Sequence, residues 1–430
     1  MELLFEMAGK VSDQAEIYSV SGRADGVSFE NARLKDIESS MQSGISLRIV
    51  KDGKLGFAYT KNLINREELI RNAIDSLKGE VEGLFNFPLT ADVAALDTCG
   101  PAIETLTNSQ MVEECGRVCE LLSQRTKGQL NVSAHRSMSN LRIINSSGTD
   151  LSLKSSAYVL NTQILYPYSY ASLHRSLISK TFEKASGIYL DYLAGTYNSS
   201  VKERVPDGKK MKVLFLPETV YVLLWRLQSA TSGVSLYQNI SPLAGKIGAM
   251  IFDRKLSVYN EPLNDSIPGS RAFDDEGTPC SRFPVIEGGI LKNFYYDLYF
   301  AQKLKAEPTG HGFKGSISAK PVPSLGHLSI SPGDSPFSDL IRSIDRGVII
   351  GGALGAHSGN IPNGDFSIGF SPGLYVEGGE IRGHVKDAMA SGNIYDALKN
   401  IVAIENTLYP APGGNFPSIL FDNINVTTKQ

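Results

Sequence analysis

Tight turns between short strand-like runs are the feature that most limits the fold of this chain. Asp52-Gly53 and Gly288-Gly289 each separate two runs of apolar and β-branched residues. Such dipeptides between two strand-like runs indicate β-hairpins, which are antiparallel. Helical patterns are interspersed without a regular strand–helix alternation. We therefore expect an α+β fold with mixed, largely antiparallel sheets and not a doubly wound parallel sheet.

The length of the chain and its polar stretches predict three segments. A chain of 430 residues exceeds one ordinary hydrophobic core. Weakly periodic stretches at 80–101 and 197–210 are typical of linkers. We expect an N-terminal α+β segment at 1–100, a middle α+β segment at 101–208, and a glycine-rich, β-dominated C-terminal domain at 209–430.

Periodicity predicts the individual elements near the two linkers. In the first segment it predicts strands at 15–21, 27–34 and 44–50. A helix should follow Asn65, because Glu68 stands three residues later in a capping-box arrangement. A further helical stretch is predicted at 179–193, before the second linker.

The charge and the hydropathy of the chain argue against nucleic acid and membrane as its binding partners. The net charge is −3 and the sequence pI is about 6.1, whereas a surface that binds nucleic acid normally carries a basic excess. The N-terminus is acidic where a signal peptide would be basic, and no apolar run is long enough to span a membrane. We expect a cytoplasmic protein that binds neither nucleic acid nor membrane. Its four cysteines do not form a disulfide framework.

The stretch from Pro217 to Gly248 begins with a helix. A strand-like run precedes Pro217, and proline is well tolerated at the first helical position. Gly233 stands where a left-handed cap would end the helix. Arg226 and Gln228 lie off the apolar stripe, which repeats at helical spacing and consists of Val220, Leu223, Leu224 and Leu227.

This helix, with Ser241–Gly248 and the Phe273–Pro279 stretch, resembles the TldD/PmbA family, once called modulators of DNA gyrase. The resemblance implies metallopeptidase relatives. In their TldD branch the helix carries HExxxH, whose two histidines bind zinc and whose glutamate activates water, and a cysteine near the C-terminus completes the site. In this chain the histidine positions fall on Trp225 and Ala230, and the glutamate position falls on Arg226.

None of these three side chains can replace the missing ligands. Zinc is bound by imidazole, thiolate or carboxylate, whereas an indole only donates and a guanidinium stays protonated. No cysteine follows Cys280, and the family's C-terminal cysteine position falls near 408–411. The chain therefore resembles the PmbA (TldE) branch. We expect no catalytic residue, no metal and no cofactor in this chain, and zinc in a TldD-type partner.

The densest acidic cluster is Asp274-Asp275-Glu276, which resembles a DDEG element of the same family. Close carboxylates are able to bind a cation or share a proton. We favour instead a structural or cavity-lining role, in which the acids bond backbone donors, Arg271 or Arg282.

A second candidate is the glycine-rich segment 351–369. Its glycines allow close approach of the backbone to a ligand or a neighbouring chain, and a tight crossover would have the same composition. His357, Asn360 and Asp365 stand in this segment in the order typical of PmbA-type proteins. We expect them to line a cavity or a substrate site.

The resemblance implies a subunit of a peptide-processing metallopeptidase. We expect this chain to pair with a TldD-type paralogue, or with a copy of itself, around a cavity that admits unfolded peptides. One alternative is an autonomous hydrolase that uses Asp274, Glu276 and His357. Another is a regulator linked to DNA gyrase or nucleic acid, which the acidic charge balance disfavours.

Overall fold

The computed structural model describes residues 1–428. Its helices follow the polar caps and apolar spacing of the sequence. For example, the Asn65 side chain accepts a hydrogen bond from the Glu68 amide at 3.0 Å, which confirms the predicted helix start. The helices are α1 (Glu2–Gly9), α2 (Arg66–Ser76), α3 (Pro101–Thr105), α4 (Asn108–Ser123), α5 (Gly187–Ser199), α6 (Pro217–Thr231), α7 (Gly233–Tyr237), α8 (Leu298–Leu304), α9 (Phe337–Arg342) and α10 (Ile394–Ala397).

The N-terminal half forms one antiparallel sheet of six strands in the order β3-β2-β1-β4-β5-β6. It takes strands from both of the segments predicted at 1–100 and 101–208, and the division between those segments stays a prediction. The strands are β1 (Gln14–Glu30), β2 (Arg33–Lys51), β3 (Lys54–Thr60), β4 (Gln129–Asn145), β5 (Asp150–Leu165) and β6 (Ser172–Ser179).

These strands are longer than the sequence pattern predicts. The runs predicted at 15–21 and 27–34 belong largely to one strand, β1, which pairs with β2 almost without interruption. The pattern stops where polar and glycine residues replace apolar ones, but backbone pairing continues past the buried core. The helix predicted at 179–193 is also wrong in its first part, because β6 ends at Ser179 and α5 begins only at Gly187.

The C-terminal half contains a ten-stranded sheet, a six-stranded sheet and a two-stranded ribbon. Most pairs are antiparallel, and parallel pairs such as β8 with β15 make the sheets mixed, so the α+β prediction is confirmed. The strands are β7 (Glu203–Arg204), β8 (Lys210–Phe215), β9 (Val258–Asn260), β10 (Phe283–Glu287), β11 (Ile290–Leu291), β12 (Gly312–Phe313), β13 (Val322–Pro323), β14 (Leu328–Ile330), β15 (Arg346–Ile350), β16 (Ala353–Leu354), β17 (Asp365–Phe370), β18 (Gly373–Glu377), β19 (Glu380–Val385), β20 (Ala388–Asn393), β21 (Ile401–Ile404), β22 (Tyr409–Ala411), β23 (Gly414–Phe416) and β24 (Ile419–Thr428).

Helix α6 lies in the largest hydrophobic core. It follows β8 directly, and the Leu216 amide at the junction donates to the Ile350 carbonyl at 3.1 Å. Its apolar stripe packs with side chains of the ten-stranded sheet. Gly233 is not a left-handed cap, because Ser232 ends α6 in an extended conformation and its hydroxyl caps α7. No helix among residues 1–428 combines the length and hydropathy that a membrane span requires.

Close packing of β3 against α2 depends on Gly56. A Cβ atom there would lie 2.4 Å from the Ala73 carbonyl oxygen of α2, whereas one at Gly79 would meet nothing within 4 Å. We expect Gly56→Ala to lower the free energy of unfolding by about 1–3 kcal/mol, because the helix must move away from the strand. Urea denaturation measures the change. Gly79→Ala is the control, and an equal loss in both variants would contradict this packing.

Candidate functional site

Trp225 and Ala230, on which the two histidine positions of the HExxxH motif fall by resemblance, lie in different environments on α6. Trp225 is 41% exposed, whereas Ala230 is fully buried. Neither side chain carries a lone pair that binds zinc. These positions therefore do not fit a zinc ion, and no hydrolytic step is assigned to them.

Arg226, which occupies the glutamate position, is fully buried although it lies off the apolar stripe. Its Nε donates to the Asp365 carbonyl at 2.5 Å, and its Nη2 donates to the carbonyls of Ala356 and Ser358 at 3.0 and 2.7 Å. Its Nη1 donates to the Val222 carbonyl at 2.8 Å. Burial lowers the pKa of Arg226, but an arginine remains protonated in proteins. A fixed positive charge thus stands on α6 next to Trp225 and four residues before Ala230.

The same contacts attach the glycine-rich segment 351–369 to α6. His357, Asn360 and Asp365 are all exposed on this segment. The Asn360 side chain accepts from the Asn363 amide at 3.2 Å, and the Asp365 carboxylate accepts from the Asn393 side chain at 2.8 Å. The structure thus places the segment that carries these three residues against α6. Their role in lining a cavity stays a prediction.

The segment near 408–411, where relatives carry the cysteine, also lies beside α6. It forms β22, which pairs with β23, and α6 contacts both strands. The Tyr409 hydroxyl donates to the Glu405 carboxylate at 2.8 Å. The position is therefore adjacent to α6, but its side chains supply no thiolate.

The acidic cluster is buried, with Asp274, Asp275 and Glu276 exposed by only 1%, 3% and 1%. Asp274 accepts from the backbone amides of Glu276, Thr278 and Gly312. Asp275 accepts from Arg271 at 2.6 Å. Bonding to backbone donors and to Arg271 is thus present, whereas Arg282 pairs with Glu261 instead, contrary to the prediction.

Glu276 joins the two halves of the chain through Arg48. The Nη1 of Arg48 lies 2.6 Å from Glu276 Oε1, and its Nε and Nη2 contact the two oxygens of Glu16 at 2.9 and 2.7 Å. The second oxygen of Glu276 accepts from the Leu298 amide. Sequence reasoning missed Arg48 and Glu16, because nothing local relates Arg48 to Glu276, which is 228 positions away, or Glu16 to either of them.

Asp297 is a further acid of this cluster. The sequence did not indicate that it lies near Glu276. The Asp297 side chain caps α8 by accepting from the Phe300 amide at 2.7 Å. Burial, together with the charge of Glu276, raises the pKa of Asp297 to about 7. Burial beside Glu276 also raises the pKa of Asp274 well above its usual range. Asp274 and Asp297 therefore hold a proton to higher pH than ordinary aspartates do.

Neither region has the donor geometry of a metal centre. Among residues 1–428, no group of three or more histidine, cysteine, aspartate or glutamate side chains is arranged to hold an ion. In the acidic cluster, backbone amides and arginines already occupy the carboxylate oxygens. No described hydrogen bond or ion pair joins His357 to Asp274 or Glu276.

The fold and the sequence together define a metallopeptidase-type chain. The model of the PmbA/TldA metallopeptidase C-terminal domain matches residues 208–428, and that of PmbA/TldA metallopeptidase domain 1 matches residues 15–77. The matched C-terminal region includes α6, the glycine-rich segment and the acidic cluster. The chain belongs to the PmbA/TldD metallopeptidase family.

Relatives from both branches match over most of their lengths. The metalloprotease PmbA homolog of Haemophilus influenzae is 24% identical, with 98% of this chain and 94% of the relative covered. The metalloprotease TldD homolog of the same bacterium is 22% identical, with 92% and 86% covered. TldE from Thermococcus kodakarensis has the same fold, with a TM-score of 0.90, 22% identity and 99% of both chains covered.

Replacing Arg226 tests whether its guanidinium holds the glycine-rich segment. We expect Arg226→Met to lower the free energy of unfolding by about 2–4 kcal/mol, because buried carbonyls lose their donors. Arg226→Lys should lower the free energy of unfolding by less, because the lysine ammonium still donates some of the hydrogen bonds to these carbonyls. Urea denaturation compares both with Arg33→Met, which removes an exposed arginine. If all three variants were equally stable, the guanidinium would not have this role.

The raised pKa of Asp297 predicts a pH-dependent difference from Asp297→Asn. In the folded chain Asp297 keeps a proton that it loses near pH 4 in the unfolded chain. The protonated side chain therefore adds to the free energy of unfolding fully below about pH 4, and this contribution disappears as pH rises through 7. Asparagine does not titrate and still caps the helix. As pH rises from 5 to 8, we expect the free energy of unfolding of the variant to increase on the order of a few kcal/mol relative to that of the parent.

Thermal and urea unfolding between pH 5 and 8 measure this gain. Asp422→Asn, which removes an exposed carboxylate, is the control. A constant offset between Asp297→Asn and the parent across this range would show that Asp297 titrates normally.

Proposed function

We propose that this chain is a PmbA-type subunit without zinc, which works in the cytoplasm with a zinc-bearing TldD-type partner to process short or unfolded peptides. The observation that carries the proposal is the buried guanidinium of Arg226. It stands where the family's glutamate would activate water, and its donors are directed at backbone carbonyls. A cation in this place repels a second cation and cannot accept a proton from water.

A heteromeric assembly is supported by the relatives. One bacterium, Haemophilus influenzae, has both a PmbA homolog and a TldD homolog. This chain lacks the residues of the TldD motif, so a partner that retains them would supply the chemistry. A pair of identical chains would hold the same three side chains twice, and it would remain without a metal site.

A polar surface on the first sheet supports a peptide as the substrate. Amide and hydroxyl side chains of β4, β5 and β6 line a cavity of about 470 Å³, together with the charged side chains of Glu30, Lys35, Asp36 and Arg175. Such groups are able to bond peptide backbone, and here Asn131 already donates to Gln163 and Ser176 to Asn161, so a peptide would use their remaining donors and acceptors. The side chains concerned are Asn131, Ser133, Asn161, Gln163 and Ser176.

The alternative of an autonomous hydrolase has less support. It requires Asp274 and Glu276 to act with His357. The two carboxylates are buried and bonded to backbone amides and Arg48, whereas His357 is exposed on the segment attached to Arg226. A general base must reach the proton that it removes.

The proposal predicts a chain that is inactive alone and required in the pair. Elemental analysis of the purified chain should find far less than one zinc per chain. An unstructured peptide should be cleaved only when the TldD-type paralogue of the same genome is added, and cleavage by the pair should exceed that by the paralogue alone. One zinc per chain, or cleavage by this chain alone that a chelator stops, would refute the proposal.

A further inference from the structure

A cavity of about 410 Å³ lies where the first sheet meets the start of α6 and β22. Its size is within the range of small-molecule sites, which often occur between structural units. None of the zinc-motif positions on α6 belongs to the described lining, whereas Tyr409 and Pro410, in the segment where the family's cysteine position falls, do. The cavity therefore borders the 408–411 segment but not Trp225, Arg226 or Ala230.

Arg175, on β6, lines one side of the cavity and is held in place by two aromatic rings. The guanidinium carbon of Arg175 on β6 lies 4.3 Å from the ring centre of Tyr192 and 5.2 Å from that of Tyr409. Cation–π contacts of this kind hold the guanidinium in one place. The charge of Arg175 also acts on the hydroxyls of both tyrosines, and that of Glu405 acts on the same two groups.

Glu405 is already engaged within the fold. Its oxygens accept hydrogen bonds from the Tyr409 hydroxyl at 2.8 Å and from the Ser418 amide at 3.2 Å. It is almost fully buried. Arg175 and Glu405 place one positive and one negative charge in the cavity, and Glu183 adds a carboxylate that accepts from Ser179 at 2.8 Å.

Glu218, in the first turn of α6, is the third carboxylate of the cavity. Its Oε2 atom is buried and accepts no hydrogen bond from residues 1–428. A buried carboxylate oxygen without a donor is costly. Glu218 lines the cavity together with Tyr189 and Tyr192. The cavity thus has a place for a cationic donor.

Apolar side chains beside Glu218 determine what can accompany that donor. They come from β6, α5, α6 and α9, and consist of Leu177, Ile178, Ile188, Leu216, Pro217 and Phe337. We propose that the cavity binds the free α-amino end of a short peptide, with its ammonium at Glu218 and its first, apolar side chain against this wall. The choice of a peptide rests on the function proposed above.

Calorimetric titration of the full chain tests this site. The probes are leucyl-alanyl-alanine and its N-acetylated form, which lacks the positive charge. We expect the acetylated peptide to bind at least about tenfold more weakly. An acetylated peptide that contains lysine separates an α-amino end from a side-chain ammonium, and we expect it to bind as weakly as the acetylated probe. Equal affinity for the free and acetylated peptides, or no binding of either, would overturn the proposal.

Two matched variants test whether Glu218 binds the α-ammonium group of the peptide. Glu218→Gln should weaken binding of the free peptide by about tenfold and leave the acetylated peptide unchanged. Glu183→Gln is the control, because Glu183 lines the same cavity and already accepts from Ser179 at 2.8 Å. If Glu183→Gln weakened binding as much, or Glu218→Gln did not, Glu218 would not hold the amine. Zinc content and cleavage are measured separately, so a failure here is distinct from a failure of the subunit proposal.

Discussion

The buried guanidinium of Arg226 is the constraint around which the C-terminal half is arranged. An isolated charge in a protein interior is costly unless hydrogen bonds satisfy it. Arg226 meets this requirement with carbonyl oxygens from α6 and the glycine-rich segment. Any side chain without several donors at this position would leave those carbonyls unpaired. Arg226 is thus a structural junction between α6 and the glycine-rich segment.

A second buried arginine connects the two halves. Arg48 contacts Glu16 on β1 and Glu276 before α8. Ion pairs in the interior are weak evidence for high stability, because desolvation offsets much of their attraction. Their geometry is specific, however, and removing one partner leaves an unpaired charge. The Arg48 contacts therefore favour one relative placement of the N-terminal sheet and the C-terminal half.

Local signals in the sequence predicted local structure well. The Asp52-Gly53 hairpin, the Asn65 cap and the start of α6 at Pro217 are confirmed because each depends on neighbouring residues. The full length of β1 was missed because its pairing continues where the apolar pattern ends. The family motif located Arg226, but its burial and its carbonyl partners depend on segments about 130 residues away. The Glu218 cavity has the same origin and could not be read from sequence.

The distance along the chain between Arg48 and Glu276 also bears on how the protein folds. Their contact closes a loop of more than two hundred residues, and the entropy of such a closure is lost before the contact forms. During synthesis the N-terminal sheet emerges long before Glu276 is made, so Arg48 and Glu16 first meet without their third partner. We expect this sheet to reach its final packing only after most of the polypeptide has left the ribosome.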